Sequence, residues 1–191
     1  MDLNPNTSLI EPFGVQFDIA EGVMLDPADH IIRLASTMRG YYADEAALES
    51  LIASDGNPKH YETFESSVPE EPGQVKFSIS KLYPGVVGEE CFMTKGHYHE
   101  AAETGEIYWC LKGVGLMLMM LPDRTCRWEE FVPGRMVYAP PYWAHRSINT
   151  GDEALISLCV YPGDAGHNYR DIKEEGFPKR VFRRDGKIVV E

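Results

Sequence analysis

From residue 60 onward the chain is a succession of short apolar or alternating runs, each ended by Gly, Pro or Asp. Examples are YETFESSV, VKFSISKLY, EIYWCLKGVGLMLMML, MVYAP and ALISLCVYP. Runs of this length and spacing favour the strands of an all-β barrel or sandwich. The last segment, PKRVFRRDGKIVVE, predicts a hairpin in which Asp185-Gly186 is the two-residue turn.

The first 59 residues differ from the rest of the chain in their pattern of apolar residues. Residues 1–34 mix apolar residues with Pro and Gly, which predicts an extended arm with short strands. Residues 36–54 predict one helix, which the following Asp55-Gly56 ends. The apolar residues that recur there at helical spacing are Ala46, Leu48, Leu51 and Ile52. We therefore predict an N-terminal strand-and-helix extension over 1–59 and a single β-barrel over 60–191.

Charge and composition exclude several classes of partner. The formal net charge of −12 argues against nucleic acid and against docking on an anionic membrane. No apolar run approaches the length of a membrane span, and the N-terminus lacks a basic start and an apolar signal core. The four cysteines form no C-x-x-C pair, which is typical of buried thiols in a reducing compartment. We expect a cytoplasmic protein, in which any anionic substrate must be attracted locally by a pocket.

A metal-binding pattern lies in the middle of the chain. His97 and His99 are two apart, so in a strand both side chains point to one face. Glu106 begins the next apolar run, and His145 begins a later one after Pro140-Pro141. Imidazole nitrogens and a carboxylate together suit divalent ions such as iron, manganese, zinc and nickel. A lone His is more often a surface or core residue, so the case depends on the residues around these four.

Those surrounding residues resemble the two sequence motifs of the cupins. Glu106 is followed by Gly113 at the spacing of the first motif, and the second motif is matched at Gly134, Pro140, His145 and Asn149. A Gly expected between Pro140 and His145 is Tyr142 here.

One spacing departs from the general cupin pattern. Six residues separate His99 from Glu106, whereas Glu103 lies at the general spacing. We assign the ligand role to Glu106, since it keeps register with Gly113 and opens a strand, and we expect Glu103 to lie in a solvated loop.

A closer resemblance is carried by three segments, TKGHYHEAAETGEIYWCLKGVGLML, PGRMVYAPPYWAHRSINTGDE and YPGDAGHNY. They resemble the cupin-type phosphoglucose isomerases over roughly residues 75–182, and this family has the longer His-to-Glu spacing. The resemblance implies a homodimeric jelly-roll-like cupin that interconverts glucose 6-phosphate and fructose 6-phosphate in glycolysis and gluconeogenesis. It also implies one divalent metal per subunit, usually Fe2+, with Mn2+, Zn2+ or Ni2+ as the other candidates.

Carried over by position, the resemblance assigns the metal ligands and the substrate site. The ligands are His97, His99, Glu106 and His145. The substrate-binding residues are Ser80, Thr94, Gly96, Tyr161 and Tyr169, and the residues near the reacting carbons are Glu106, Tyr108 and His167. Ser80 stands where the family often has Thr. The phosphate would then be bound by hydroxyls and the Gly96 N–H without a Lys or Arg, since strand alternation would turn Lys95 away to the surface.

The chemistry that follows is proton transfer between C2 and C1 of the sugar. Glu106 is the candidate base, and a metal would stabilise negative charge on the C1 and C2 oxygens. A hydride shift needs no base and remains open. Two other readings of the motifs also remain at this point: an iron dioxygenase acting on a small organic acid or thiol, and a non-catalytic cupin that binds a sugar or a metal.

Overall fold

A computed structural model describes residues 7–191, and in this part of the chain strands predominate. The strands, in chain order, are β1 Phe17–Asp18, β2 Val23–Met24, β3 Asp29–Leu34, β4 Lys59–Glu65, β5 Val75–Leu82, β6 Val86–Val87, β7 Glu90–Cys91, β8 Glu106–Lys112, β9 Gly115–Met120, β10 Cys126–Phe131, β11 Met136–Ala139, β12 Ala144–Asn149, β13 Leu155–Pro162, β14 Val181–Arg184 and β15 Lys187–Val190. The helices are a 3-10 turn at Ala35–Met38, α1 at Glu45–Ser54 and α2 at Arg170–Glu175. The predicted all-β class is confirmed.

The largest sheet has six strands in the order β11-β8-β13-β5-β4-β3. All its neighbouring pairs are antiparallel. Alternation along each strand divides the side chains between two faces. On β5, for example, Lys76 and Ser78 are buried on the inner face, whereas Ile79 packs on the outer face against Met24 and Ile156. The β1–β2 hairpin therefore covers the outer face, and polar groups collect inside.

A three-stranded sheet, β10-β9-β12, supplies the other wall of the core. Met117, Leu118 and Ile148 from this sheet join Tyr108 and Leu82 from the large sheet in one buried apolar cluster. Two antiparallel sheets that pack their inner faces together give a sandwich-like body. Within residues 7–191 the strands form four hydrogen-bonded sheets and not one continuous closed barrel.

The helical segment of the N-terminal region is shorter than the sequence predicts. Residues 36–54 are not one helix, because Gly40 has a positive φ of +85° and separates the 3-10 turn from α1. Asp44 is the N-cap of α1, where its side chain accepts a hydrogen bond from Ala47 N at 2.8 Å. Asp and Gly at the other end stop the helix as predicted.

Two parts of the predicted organisation are decided by strand pairing. Strand β3, from the N-terminal region, pairs along its whole length with β4 and so forms the edge of the large sheet. The predicted C-terminal hairpin is confirmed, since β14 pairs with β15. Its turn residues Asp185 and Gly186 both have positive φ, 49° and 71°, as a type I′ turn requires. The boundary at residues 59/60 stays a prediction.

Candidate active site

A cavity of about 410 Å3 lies on the inner face of the large sheet. The strands bring polar side chains to it from β3, β4, β5, β8, β12 and β13, together with the segments around residues 94–97 and 167–169. All eight predicted substrate-binding and catalytic residues line it: Ser80, Thr94, Gly96, Glu106, Tyr108, Tyr161, His167 and Tyr169. The structure thus gathers into one cavity residues that are spread over 90 positions of the sequence.

The four predicted metal ligands meet at one wall of this cavity. Each contributes one ligand atom, and these atoms lie within 4.8 Å of one another. The Nε2 atoms of His97 and His145 are 3.1 Å apart, and Glu106 Oε2 lies 3.0 Å from Nε2 of His145 and 3.1 Å from Nε2 of His99. Three of the four side chains are buried.

Backbone pairing places His97 opposite His145. His97 N donates to His145 O at 3.3 Å and His145 N donates to His97 O at 3.1 Å. His97 lies in this isolated bridge and His99 lies outside any strand, so the two are not in a regular β-strand as predicted. Their ring centroids are nevertheless 5.6 Å apart, which keeps both imidazoles on the same wall.

Hydrogen bonds at the far nitrogen of two imidazoles orient their Nε2 atoms. His99 Nδ1 lies 3.1 Å from the carbonyl oxygen of Thr104 and 2.8 Å from its hydroxyl, and His145 Nδ1 lies 3.1 Å from Trp143 O. A carbonyl only accepts, so Nδ1 carries the proton in each neutral ring and Nε2 presents a lone pair. This is the arrangement that second-shell partners impose on metal-ligating histidines.

The donor set fits a divalent cation. Nitrogen lone pairs and carboxylate oxygens about 3 Å apart repel one another unless a cation lies between them, and that spacing suits metal–ligand distances of about 2.0–2.2 Å. Glu106 is charged in this setting: burial acts to raise its pKa, but the neighbouring His145 and His99 outweigh burial and lower the pKa to about 2. The residues His97, His99, Glu106 and His145 can therefore hold a metal.

The structure separates Glu106 from Glu103. Glu106 is the first residue of β8 and is 4% exposed, with its side chain on the inner face. Glu103 is exposed in the turn before it. Only Glu106 reaches the three histidines, as the spacing relative to Gly113 predicts.

Tyr142 occupies the position where the cupin motif has a Gly. Its φ is +71°, a left-handed conformation that favours Gly, and its side chain is exposed. Tyr142 N donates to Ala102 O at 2.8 Å, which ties this turn to the loop between His99 and Glu106. The strained turn thereby links the two motifs that carry the ligands.

Thr94 and Gly96 come just before the ligand His97, and Ser80 lines the same cavity from β5. Thr94 Oγ1 accepts from Ser147 N at 3.1 Å, so its own hydrogen is free to be donated into the cavity. Gly96 has a φ of +73°, and a Cβ there would lie 2.9 Å from the Phe177 ring and 3.1 Å from Arg146 Cβ. Only Gly fits this close approach.

The aromatic and imidazole groups of the predicted sugar pocket surround His97 and His145. The ring of Tyr108 lies 5.4 Å from that of His145, and His167 lies 4.4 Å from His97. His167 also stacks on Tyr169, with a centroid distance of 5.9 Å and an interplanar angle of 7°. Antiparallel bridging of Tyr98 with Asn168 holds this loop against the metal wall.

Tyr161 has a partner that the sequence did not reveal. Its hydroxyl donates to Glu65 Oε2 at 2.6 Å. Glu65 is largely buried, and burial raises the pKa of its carboxyl. Near it, Lys76 donates to Glu70 at 2.6 Å. This end of the cavity therefore carries two carboxylates and one ammonium group.

Sequence reasoning also missed cations at the cavity. Arg33, from the edge strand β3, lines it, as does Lys95. Lys95 is half-buried rather than at the surface, and its Nζ lies 5.4 Å over the ring of Tyr41, which is not a lining residue of the cavity. Thr94–Gly96 is not a strand, so the strand alternation behind the prediction does not apply to Lys95. Residues 29, 31 and 33 of β3 all line the cavity, so alternation along this strand was the signal from which Arg33 could have been predicted.

Comparison with known proteins gives one consistent family. A family model described as glucose-6-phosphate isomerase matches residues 32–190. A glucose-6-phosphate isomerase of Thermococcus litoralis is 47% identical over 180 residues, covering 94% of this chain and 94% of the relative. One of Pyrococcus abyssi is 46% identical over 180 residues, with the same coverage.

Among solved structures, an oxalate decarboxylase of Lactobacillus farciminis overlaps 56% of this chain and 30% of its own, with 18% identity and a TM-score of 0.45. The family assignment rests on the sequence matches, which extend over nearly the whole chain and include all four ligand positions and the cavity. The chain belongs to the glucose-6-phosphate isomerase family, in its cupin-type form.

Proposed function

We propose that this chain is a metal-dependent isomerase that interconverts glucose 6-phosphate and fructose 6-phosphate. The observation that carries the proposal is the cavity itself, in which a buried three-histidine, one-carboxylate cluster adjoins hydroxyls and a left-handed Gly that suit a sugar phosphate. The family match extends over that cavity. Membership of a family of isomerases decides against the iron dioxygenase and the non-catalytic sugar-binding protein.

Glu106 is the group that moves the proton between C2 and C1. Its carboxylate is charged and buried beside His99 and His145, and it is the only carboxylate in the described ligand cluster. It takes the proton from C2 and returns it to C1, while a second proton passes from the C2 oxygen to the C1 oxygen. A divalent metal, which His97, His99, Glu106 and His145 would hold, would supply Lewis acidity to this step.

Tyr108 is placed to donate and accept the second proton. Burial raises the pKa of its hydroxyl well above 10, and the charge of Glu106 adds to that rise, so the hydroxyl stays protonated. His167 and Tyr169 form a stacked pair over His97 that closes one side of the cavity and orients the sugar. The wall on the β8 and β13 side includes the buried residues Tyr108 and Cys159.

One experiment tests the reaction and the rival together. Metal-loaded protein is incubated with fructose 6-phosphate without oxygen, and glucose 6-phosphate is measured with a coupled dehydrogenase. We expect product without oxygen and none after prolonged chelation, with activity restored by resupplied metal. Full turnover by protein that elemental analysis shows to be metal-free would reject the metal-dependent mechanism, and oxygen uptake without isomerisation would reject the isomerase.

Ferrous iron is the metal we propose, at one ion per subunit. Three imidazoles and one carboxylate suit Fe2+, and they also accept Mn2+, Zn2+ and Ni2+, so the test is a direct comparison. Chelated protein is reloaded anaerobically with each ion in turn, and kcat and bound metal are measured. Fe2+ should give the highest kcat per bound ion, and a higher value with another metal would replace this assignment.

A homodimer is the assembly we propose. Apolar side chains are exposed in the N-terminal arm, and a second group lies on the outer face of β8 and β11: Ile107, Trp109, Met136 and Tyr138. Exposed apolar patches of this kind typify interfaces. Sedimentation at micromolar concentration should give twice the 21.5 kDa chain mass. Met136→Lys should weaken the dimer, whereas Val75→Lys, at a position of similar exposure, should not; a fully active monomer would contradict the proposal.

We propose that the protein acts in the cytoplasm, in glycolysis and gluconeogenesis. All four cysteines are free, and Cys91, Cys110 and Cys159 are buried, which suits a reducing compartment. Neither helix within residues 7–191 has the length and apolar character needed to cross a bilayer. Cell fractionation and growth of a deletion strain on glucose and on a gluconeogenic carbon source would test both points.

A further inference from the structure

The cavity has two ends of opposite charge. Pairing of β3 with β4 sets Asp29 beside Glu65 and Arg33 beside Tyr61. The two pairs lie four positions apart along the strands, which corresponds to about 13 Å. Glu65 and Glu70 make one end acidic, and Arg33 makes the other end basic.

Arg33 and Lys95 have no acidic partner. No ion pair within residues 7–191 includes either side chain, although most other Arg and Lys residues are paired, such as Lys76 with Glu70. Both are half-buried in the lining of the cavity. In a chain with a net charge of −12, two neighbouring cations without acidic partners in a cavity indicate an anion-binding site.

Arg33 lies near two tyrosine hydroxyls of the cavity. Burial raises the pKa of the Tyr61 hydroxyl and of the Tyr169 hydroxyl, and in both cases the charge of Arg33 opposes the rise. Arg33 therefore places a positive charge beside two hydroxyl donors that also line the cavity.

Neutral donors lie between the two ends of the cavity and beside the metal ligands. Strand register sets Ser80 opposite Thr63, midway between Tyr61 and Glu65, and the Ser80 hydroxyl has no partner within the described residues. Thr94 keeps its hydroxyl hydrogen free, and the N–H of Gly96 donates no hydrogen bond in the described structure. Hydroxyls and backbone N–H groups of this kind bind phosphate oxygens well beside an Arg.

The opposite end repels an anion. Tyr161 already donates its hydroxyl to Glu65, and Lys76 is bound by Glu70. A phosphate dianion near Tyr161 would lie close to the Glu65 carboxylate, whose negative charge would repel it. The charge distribution therefore favours the Arg33 end of the cavity for the phosphate.

We propose that Arg33, with Lys95 beside it, binds the phosphate group of the substrate and gives this site its preference for anionic sugars. The inference rests on the proposed function in naming the anion as a sugar phosphate. The proposal adds a cation from the edge strand β3 to the hydroxyl donors Ser80 and Thr94 that bind the phosphate. It places Tyr161 near the sugar and not near the phosphate.

The test compares Arg33→Gln with Arg33→Lys and with Arg127→Gln. Arg127 is exposed on β10 outside the cavity and forms no ion pair within the described chain, so its variant removes the same charge elsewhere. Calorimetry measures the Kd of inorganic phosphate with and without metal, and kinetics give KM and kcat for fructose 6-phosphate. Thermal unfolding checks that each variant is folded.

Arg33→Gln should weaken phosphate binding and raise KM by roughly ten- to a hundredfold, as expected for a lost bond to a charged group, with a smaller change in kcat. Arg33→Lys should recover part of the loss, and Arg127→Gln should match the wild type. Unchanged phosphate affinity in folded Arg33→Gln, or an equal loss in Arg127→Gln, would overturn the inference. Should the wild type bind phosphate through Arg33 but not isomerise fructose 6-phosphate, the anion site would stand and the proposed function would fail.

Discussion

His97 and His145 are joined both through their backbones and through their side chains. Two backbone hydrogen bonds of 3.3 and 3.1 Å pair them, and their Nε2 atoms lie 3.1 Å apart. They are separated by 48 residues of sequence, so the pair exists only after β12 has docked beside the 94–97 segment. The ligand set is therefore a product of the folded sandwich.

Exchanging each of the two candidate carboxylates for an amide separates their roles. Glu106→Gln keeps the shape of the side chain but removes its charge and basicity, so we expect weaker metal binding and a kcat at least about a hundredfold lower, even with excess metal. Glu103→Gln alters an exposed turn residue and should change metal content and kcat little. Metal content and kcat are measured side by side; damage confined to the Glu103 variant would show that the ligand register is wrong.

Thr104 should tune metal affinity without touching the metal. Its hydroxyl donates to Ala101 O at 2.6 Å and accepts from His99 Nδ1, which helps to hold that imidazole in one orientation. Thr104→Val removes this contact but leaves the Thr104 carbonyl, so we expect roughly tenfold weaker metal binding. Thr104→Ser retains the hydroxyl and should bind metal like the wild type. Competition with a chelator of known affinity measures both, and equal affinities for Val and Ser would rule out this role.

Thr94 should contribute a hydrogen bond to the substrate. Thr94→Val removes a donor next to Gly96, so KM for fructose 6-phosphate should rise about tenfold or more, as for a bond to a charged group. Because Thr94 Oγ1 also accepts from Ser147 N, the same change should lower the free energy of unfolding by about 1 kcal/mol. Thr94→Ser keeps both bonds and is the control. A valine variant with unchanged KM would remove Thr94 from the substrate site.

A buried histidine away from the active site should make stability depend on pH. His60 is fully buried, its Nε2 is 2.6 Å from the Tyr42 hydroxyl, and its Nδ1 has no partner. Burial disfavours its charged form and lowers the pKa from 6.5 to about 3. Between those values the unfolded chain binds a proton that the folded chain does not. The free energy of unfolding should therefore fall as pH decreases from 6.5, by up to about 1.4 kcal/mol per pH unit from this group.

The His60 prediction is checked by chemical denaturation of metal-free protein between pH 7 and pH 4. His60→Gln should show a shallower pH slope than the wild type, whatever its absolute stability. Identical slopes for wild type and His60→Gln would mean that His60 does not carry the effect.

Much of the fold follows from local pattern. Alternating runs predicted the strands, and Asp185-Gly186 predicted the terminal hairpin, because side-chain period and turn conformation are properties of neighbouring residues. The predicted helix over residues 36–54 was too long, because apolar periodicity does not mark the residue at which a helix begins. Gly40 takes a left-handed conformation that tertiary packing selects and that periodicity does not record.

The sequence by itself determined the four candidate metal ligands, since spacing to Gly113 singled out Glu106 and two motifs singled out His145 and its partners. Tertiary structure decided how charge is arranged around them. Lys95 is half-buried against Tyr41, and Tyr161 meets Glu65, 96 residues away, only across paired strands. Arg33 reaches the same cavity because β3 pairs at the sheet edge. Charge complementarity depends on distances through space, and these are set by strand register and backbone twist that no single segment encodes.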